Sequence, residues 1–247
     1  YDLSTNPAKT TVSTRIQSGQ PQVLTVSTFT DGLGRTIQTR APAEDPTKQV
    51  VTGLADFDSR GLVARQWVPY LDTLSTSYRS AVSVAGLASP VLYTYDAIGR
   101  LLQTTDPDGS ITRTRYNDGL VIATDALGHE TWRTTDAYGR LSEVDEVLAS
   151  TDIATTTYQY DALNNLTQVT DAKGNITKIT YDSLGRKLSM TDPDMGAWQY
   201  GYDAVDNLTS QTDARGVIIT FSYDALNRLT QKSYTVPAGS TIANPGT

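Results

Sequence analysis

The chain has no cysteine, a single histidine, three phenylalanines, three tryptophans and two methionines. Without cysteine there are no disulfides, no zinc–thiolate centres and no thiol nucleophile. A lone histidine, His129, leaves a metal site or a nucleophile–base pair without its usual partners, and reads as a solvated turn residue. No run approaches 18 consecutive apolar residues, so no helix would span a membrane. A basic-then-apolar leader is also missing. Basic charge is in deficit: 20 Lys and Arg stand against 27 Asp and Glu, giving a net charge of −7 and a pI near 4.7. An acidic surface repels phosphate, so nucleic acid is not an expected partner. The chain opens on Tyr1 and not Met, which suggests a processed chain or a piece of a longer one.

What is present is tyrosine, 14 residues of it, with abundant threonine. That balance favours strands over helices and a thin apolar layer over a thick core. The tyrosines are periodic. Tyr160-Asp161, Tyr181-Asp182, Tyr202-Asp203 and Tyr223-Asp224 follow one another at intervals of 21 residues. Tyr95-Asp96 and Tyr116-Asn117 keep the same interval, and Thr135-Asp136 fills the slot once. A second marker, Thr105-Asp106, Thr170-Asp171, Thr191-Asp192 or Thr212-Asp213, falls 10 residues after each unit's tyrosine. Two markers in one phase define a repeat array.

Both markers have the chemistry of turns. The third residue after the first aspartate is Gly34, Gly99, Gly139, Asn164, Gly185, Asp206 or Asn227. Gly, Asn and Asp share a tolerance of positive φ, so their exchange marks a left-handed position. Asp at the head and a left-handed residue at the tail predict a type I turn closed by a bulge. The second marker repeats the pattern in Asp106–Gly109, Asp171–Gly174 and Asp213–Gly216, and Asp192–Gly196 carries one residue more. Ile98, Tyr138, Leu163, Leu184, Val205 and Leu226 occupy an apolar place inside the first turn, and are expected to fold back and cap the sheet. Arg35, Arg100, Arg140, Arg186 and Arg228 follow the left-handed slot, and are expected to ladder with the turn carboxylates, each worth little if exposed. Each unit therefore reads strand–turn–strand–turn, all-β, in tandem hairpins forming a curved antiparallel sheet.

Three stretches follow: a degenerate lead-in over 1–89, the regular array over 90–234 and a linker over 235–247. The lead-in holds related pieces at Phe29–Thr39 and Phe57–Val63. Its segments 41–49 and 71–89 read as loops. Thr10–Ile16 and Val23–Thr28 are candidate strands that could pair with the unit at Phe29 and blunt one edge.

Sharper readings were weighed against plain ones. Asp106 with Asp108, and Asp192 with Asp194, could pass for paired catalytic carboxylates or calcium ligands. The later ligands of a calcium loop are missing, and turn chemistry accounts for both pairs. Trp132, Trp198, Tyr200 and Tyr202 could stack on sugar rings, but cross-strand aromatic packing is the favoured reading. No cofactor and no catalytic residue is expected.

The motif Tyr95-Asp96-Ala97-Ile98-Gly99-Arg100-Leu101, followed by Thr105-Asp106-Pro107-Asp108-Gly109, resembles the Rhs/YD-repeat superfamily, which includes Rhs toxins, Tc toxin shell components and teneurins. The resemblance covers roughly residues 29–234. It implies a β-strip that spirals into a hollow shell, enclosing a C-terminal effector in the toxin members. The self-cleaving aspartyl module that follows the repeats there has no counterpart in this chain, so autoproteolysis is assigned to no residue. Seven units of two strands at about 4.8 Å give a strip of roughly 70 Å, under half of the roughly 160 Å needed to encircle a cargo of about 130 residues. The function expected is thus a wall segment of a secreted or cell-surface toxin-like shell, completed by further repeats or by identical chains joined at edge strands. The alternative is an extracellular self-assembling or glycan-binding adhesive module.

Overall fold

A computed structural model describes residues 7–15, 23–149 and 152–239. Twenty-one strands follow in order: β1 (Ala8–Arg15), β2 (Val23–Thr30), β3 (Thr36–Pro42), β4 (Lys48–Thr52), β5 (Ala55–Phe57), β6 (Val63–Gln66), β7 (Tyr70–Thr73), β8 (Val91–Tyr95), β9 (Leu101–Thr105), β10 (Ile111–Asn117), β11 (Leu120–Thr124), β12 (Glu130–Thr135), β13 (Leu141–Ala149), β14 (Asp152–Tyr160), β15 (Leu166–Thr170), β16 (Ile176–Tyr181), β17 (Lys187–Asp192), β18 (Gly196–Tyr202), β19 (Leu208–Thr212), β20 (Ile218–Tyr223) and β21 (Leu229–Thr235). The helical content of the described residues is one 3-10 turn, Ala81–Ser83. None of their helices is long and apolar enough to cross a membrane.

The chain forms two compact units, residues 1–115 with 123–128, and residues 116–122 with 129–247. In the first unit, one sheet runs β1-β2-β3-β4-β7, and β5-β6-β8-β9-β10 form a second ladder. In the other unit, β12 to β21 pair in strict sequence order. Sequential antiparallel pairing puts all first turns of that ladder on one border and all second turns on the other.

Register fixes this arrangement. The residue before each first-turn aspartate pairs with the first residue after the turn: Tyr95 with Leu101, Tyr160 with Leu166, Tyr181 with Lys187, Tyr202 with Leu208 and Tyr223 with Leu229. Each pair is flanked by a one-residue register shift. That is the bulge a left-handed residue permits. At Gly34, Gly99, Gly139, Asn164, Gly185, Asp206 and Asn227, φ runs from 59° to 87°.

The apolar residues in these turns do not cap the sheet. Tyr138, Leu163, Leu184, Val205 and Leu226 are 60–82% exposed, and Ile98 is 76% exposed. The reason is the turn itself. Each residue's N–H is held by the carboxylate two positions earlier, as in Leu163 to Asp161 Oδ1 at 2.9 Å and Leu184 to Asp182 Oδ1 at 2.9 Å. A residue held so at the third turn position projects its side chain outward from the tip.

Two further expectations change. Segment 41–49 is strand at its two ends, since β3 reaches Pro42 and β4 starts at Lys48, with 43–47 as the loop between them, and 71–73 belongs to β7. β1 and β2 pair with each other along their length, and β2 pairs with β3, but all three lie in the five-stranded sheet. They do not blunt the border of the other ladder, which begins at β5. Ile16, once counted with the first strand, and residues 240–247 of the expected linker lie outside the described residues.

Burial differs sharply between the units. Phe29, Val51, Leu54, Ala55 and Trp67 are buried in the first unit, where Phe29 meets Tyr78 with ring centroids 6.1 Å apart. Among the described residues of the second unit, only Val217 and Asp213 are buried. There the sheet is a single layer, held by what passes from strand to strand and from turn to turn. Gly139 isolates the backbone term of that hold, because a Cβ there would meet nothing within 4 Å. Gly139→Val is expected to cost about 1–2 kcal/mol, the penalty of an L-residue in left-handed geometry. Gly139→Asn should be close to neutral, and urea unfolding of the two variants makes the comparison.

Candidate functional site

Each first turn is organised by one carboxylate. In the turn from Asp182, Oδ1 accepts the N–H groups of Leu184 and Arg186, both at 2.9 Å. Its Oδ2 accepts Arg186 Nε at 2.6 Å. The backbone closes the loop, as Asp182 N–H donates to Arg186 C=O and Gly185 N–H to Asp182 C=O, each at 3.0 Å. The same set recurs at Asp31, Asp96, Asp136 and Asp224 with an arginine, and at Asp161 and Asp203 with Asn165 or Asn207 in its place. These bonds stabilise the ionised form. The Arg35 side chain holds Asp31 below its ordinary pKa. The Asn165 amide does so for Asp161, and the Arg228 backbone N–H for Asp224. At Asp96 and Asp136 desolvation pushes upward, but bonds from Arg100 and Arg140 outweigh it and the net shift is down.

The arginine does not stop at its own turn. Arg140 Nη1 donates to Asp161 C=O at 3.1 Å and to Asn164 Oδ1 at 2.9 Å, both in the next turn. Arg186 Nη1 reaches Asp203 C=O at 3.1 Å and Asp206 Oδ1 at 2.8 Å. On the way the guanidinium lies over the next unit's aromatic ring: Arg140 over Tyr160 at 4.8 Å, Arg186 over Tyr202 at 5.1 Å. In the lead-in Arg35 repeats this over Phe57 at 3.8 Å and donates to Gly61 C=O at 3.0 Å. Arg60, two positions earlier in its turn, still reaches Asp96 C=O. The tyrosines reach the other way. Tyr95, Tyr160 and Tyr223 hydroxyls donate to the carbonyls of Val63, Leu141 and Leu208, the first strand residue after the preceding turn. The turn at Asp58 is thus clasped to that at Asp96 from both sides, as are Asp136 to Asp161 and Asp203 to Asp224, where Asn207 donates to Asn227 Oδ1. The ladder expected within each turn is present, and the reach into the next is an addition to it.

A clasp that recurs with the Tyr-Asp phase is a signature of family. The RHS repeat profile matches residues 95–130, 136–176, 160–197 and 198–241, more than half of the chain. The chain belongs to the RHS repeat family. Residues 3–89 match a second profile, a domain of unknown function, DUF6443. No curated protein sequence matches the chain. Among solved structures, the crystal structure of TcdB2-TccC3 superposes with a TM-score of 0.78 at 22% identity, over 94% of this chain and 14% of that one. TcdB2-TccC3-Cdc42 gives 0.77 at 22% identity, again over 94% and 14%. The Tc holotoxin pore of Photorhabdus luminescens, with a TccC3 mutation, gives 0.76 at 21% identity over 94% and 13%. At this identity the likeness is one of fold: an all-β chain of long antiparallel sheets. The RHS chain spans about 14% of the length of the solved chains it matches.

The DUF6443 stretch contains a site that the sequence did not announce. Arg40, on β3, is wholly buried. Its Nη2 meets Asp72 Oδ2 at 2.8 Å and Thr73 C=O at 2.9 Å, and its Nε meets Gln49 Oε1 at 3.0 Å. Arg79 Nη1 takes the other Asp72 oxygen, and Gln38 exchanges two bonds with the Arg79 backbone. Burial acts to raise the pKa of Asp72, but the two arginines and the Thr73 N–H leave it lowered. The cluster ties the irregular stretch after β7 onto the five-stranded sheet. No local signal marks it, because Gln38 and Arg40 look like a solvent face and Asp72 and Arg79 fall in a stretch that reads as loop.

Of the aromatic candidates, Trp198, Tyr200 and Tyr202 lie on one strand, β18, and Trp132 stands apart from them. Trp132 lies on β12 and bonds Glu130 Oε2 at 2.8 Å. Trp198 and Tyr200 share a face of β18, with Trp198 Nε1 donating to Met195 C=O at 3.0 Å and Lys187 Nζ 5.0 Å above the Tyr200 ring. Trp198 also lines an open recess of about 450 Å³ with Pro193, Asp194, Met195 and Arg215. His129 is exposed just before β12. Among the described residues no three His, Cys, Asp or Glu side chains gather as a metal site. Of the candidate calcium or catalytic carboxylates, Asp106 and Asp108 accept from Ser110 and Asp192 from the Asp194 and Met195 N–H groups and the Thr177 hydroxyl.

Three measurements follow from this geometry. Tyr160→Phe removes one hydroxyl bond and should cost about 1 kcal/mol, whereas Arg40→Ala takes one of its two arginines from buried Asp72 and should cost about 3–5 kcal/mol. Urea midpoints decide both. The turn carboxyls have folded pKa values below the unfolded value of about 3.9, so their contribution is complete above that pH and is lost as pH falls through the folded values. The midpoint should hold steady from about pH 7 to pH 5 and drop below about pH 4.

Proposed function

We propose that this RHS array is a wall segment of an encapsulating shell in a secreted or cell-surface Rhs/Tc-toxin-like protein. The observation that carries the reading is the two-sided clasp between successive turns. It turns a row of hairpins into one continuous strip without requiring a core, which is what a thin wall needs. The fold likeness to Tc toxin chains along 94% of this chain supports it. In such a wall the partners are further repeats, and the enclosed effector would lie C-terminal to them. The segment itself performs no catalysis: the head carboxylates of its turns are committed to turn N–H groups, and the sequence holds one histidine and no cysteine.

Limited proteolysis of the full-length gene product tests the wall. Sequence downstream of the repeats should resist a protease that digests the same sequence expressed alone. Rapid digestion of that sequence while the repeats stay intact would sink the reading. Hydrolytic turnover by the 247-residue chain, abolished by Asp106→Asn or Asp192→Asn, would refute the non-catalytic role.

A further inference from the structure

The two borders of the second unit's ladder differ in chemistry. At the first-turn border the tips are Tyr138, Leu163, Leu184, Val205 and Leu226, all 60–82% exposed. At the second-turn border the matching tip positions are Lys173, Asp194 and Arg215, with N–H groups held by Asp171, Asp192 and Asp213. One edge is apolar and the other charged, on the same turn backbone.

We propose that the apolar tip row is a docking edge, and that its occupant is the same row of a second copy of this chain. Four observations point to it. The row is periodic, one tip per two strands or about 10 Å. A partner that fills it must offer apolar groups at that step, and the matching edge of the same repeats does so under a two-fold axis, where one surface serves both sides. The contact does not strand the N–H groups of the tip residues, because each already donates to its turn aspartate. The aspartates behind the tips are matched by Arg140, Asn165, Arg186, Asn207 and Arg228, so no unpaired carboxylate is desolvated. Five such side chains offer roughly 600 Å², close to the ~800 Å² per partner of a standard interface. The opposite border, whose described tips carry Lys173, Asp194 with Met195, and Arg215, is no match for this row. The inference is independent of the wall reading, since a strip presents this edge whether or not it encloses a cargo.

Sedimentation equilibrium of the 247-residue chain tests it, carried to about 1 mM, the effective concentration that tethering within one polypeptide supplies. A reversible dimer is expected. The triple variant Leu163→Ser, Leu184→Ser, Leu226→Ser should weaken it at least tenfold with an unchanged strand spectrum, and Lys173→Ser should leave it alone. A monomer throughout, or a dimer that the triple variant leaves intact, overturns the proposal; the second result would assign association to the open strand edges. Because the chain lacks cysteine, Leu184→Cys gives a readout that does not depend on the triple variant folding. A short bis-maleimide should join two Leu184→Cys copies and not two Lys173→Cys copies, and the reverse pattern would also overturn it. Protease protection of the downstream sequence reports separately on the wall.

Discussion

Everything in the repeat ladder depends on one carboxylate per turn. The aspartate at the head of each turn accepts two backbone N–H groups on one oxygen and a side-chain donor on the other, as Asp182 does with Leu184 and Arg186. The backbone donors fix the turn. The side-chain donor does more, because fixing the guanidinium at its Nε leaves Nη1 free to reach the next turn. A rigid fork can serve two partners in this way, where a lysine, a single flexible ammonium, would serve one. The left-handed residue, the bulge and the pairing of Tyr160 with Leu166 all follow from a turn held so firmly.

The two units stabilise themselves differently. The second has hardly any buried residue and relies on nearest-neighbour bonds, so its stability accumulates unit by unit. The first adds a cover, a stretch after β7 laid over a sheet and fastened by Arg40, Asp72 and Arg79. A buried ion pair is costly to desolvate and gains little net stability over a hydrophobic replacement. It does punish misplacement of either partner, and so fixes where the cover sits.

The turns were legible in the sequence because their chemistry is local: aspartate at the head, a φ-tolerant residue at the tail, a fixed interval between them. The family resemblance rested on the same slots. Contacts that cross from one unit to the next were not legible, since nothing in Arg140 alone says that Asn164 will accept its second bond. Gln38 and Arg40 were invisible for the opposite reason, as polar residues on a strand read as solvent-facing until a distant segment covers them. The apolar turn residues misled because hydrophobicity was taken to imply burial. Their backbone bonds to the turn carboxylate decide their direction, and that direction is outward.

The donors after the left-handed slot alternate in size along the second unit: Arg140, Asn165, Arg186, Asn207, Arg228. The acceptors answer them. Arg140 and Arg186 face Asn164 and Asp206, which carry side-chain oxygens, Asn165 faces Gly185, which carries none, and the shorter Asn207 still donates to Asn227 Oδ1 at 3.1 Å. If recombination removed one 21-residue unit, Arg140 would stand before Gly185 and lose its second acceptor. Loss of two units would bring it to Asp206 and keep the contact. The contact therefore survives the loss of a unit only where the turn that moves up carries a side-chain oxygen in its left-handed slot.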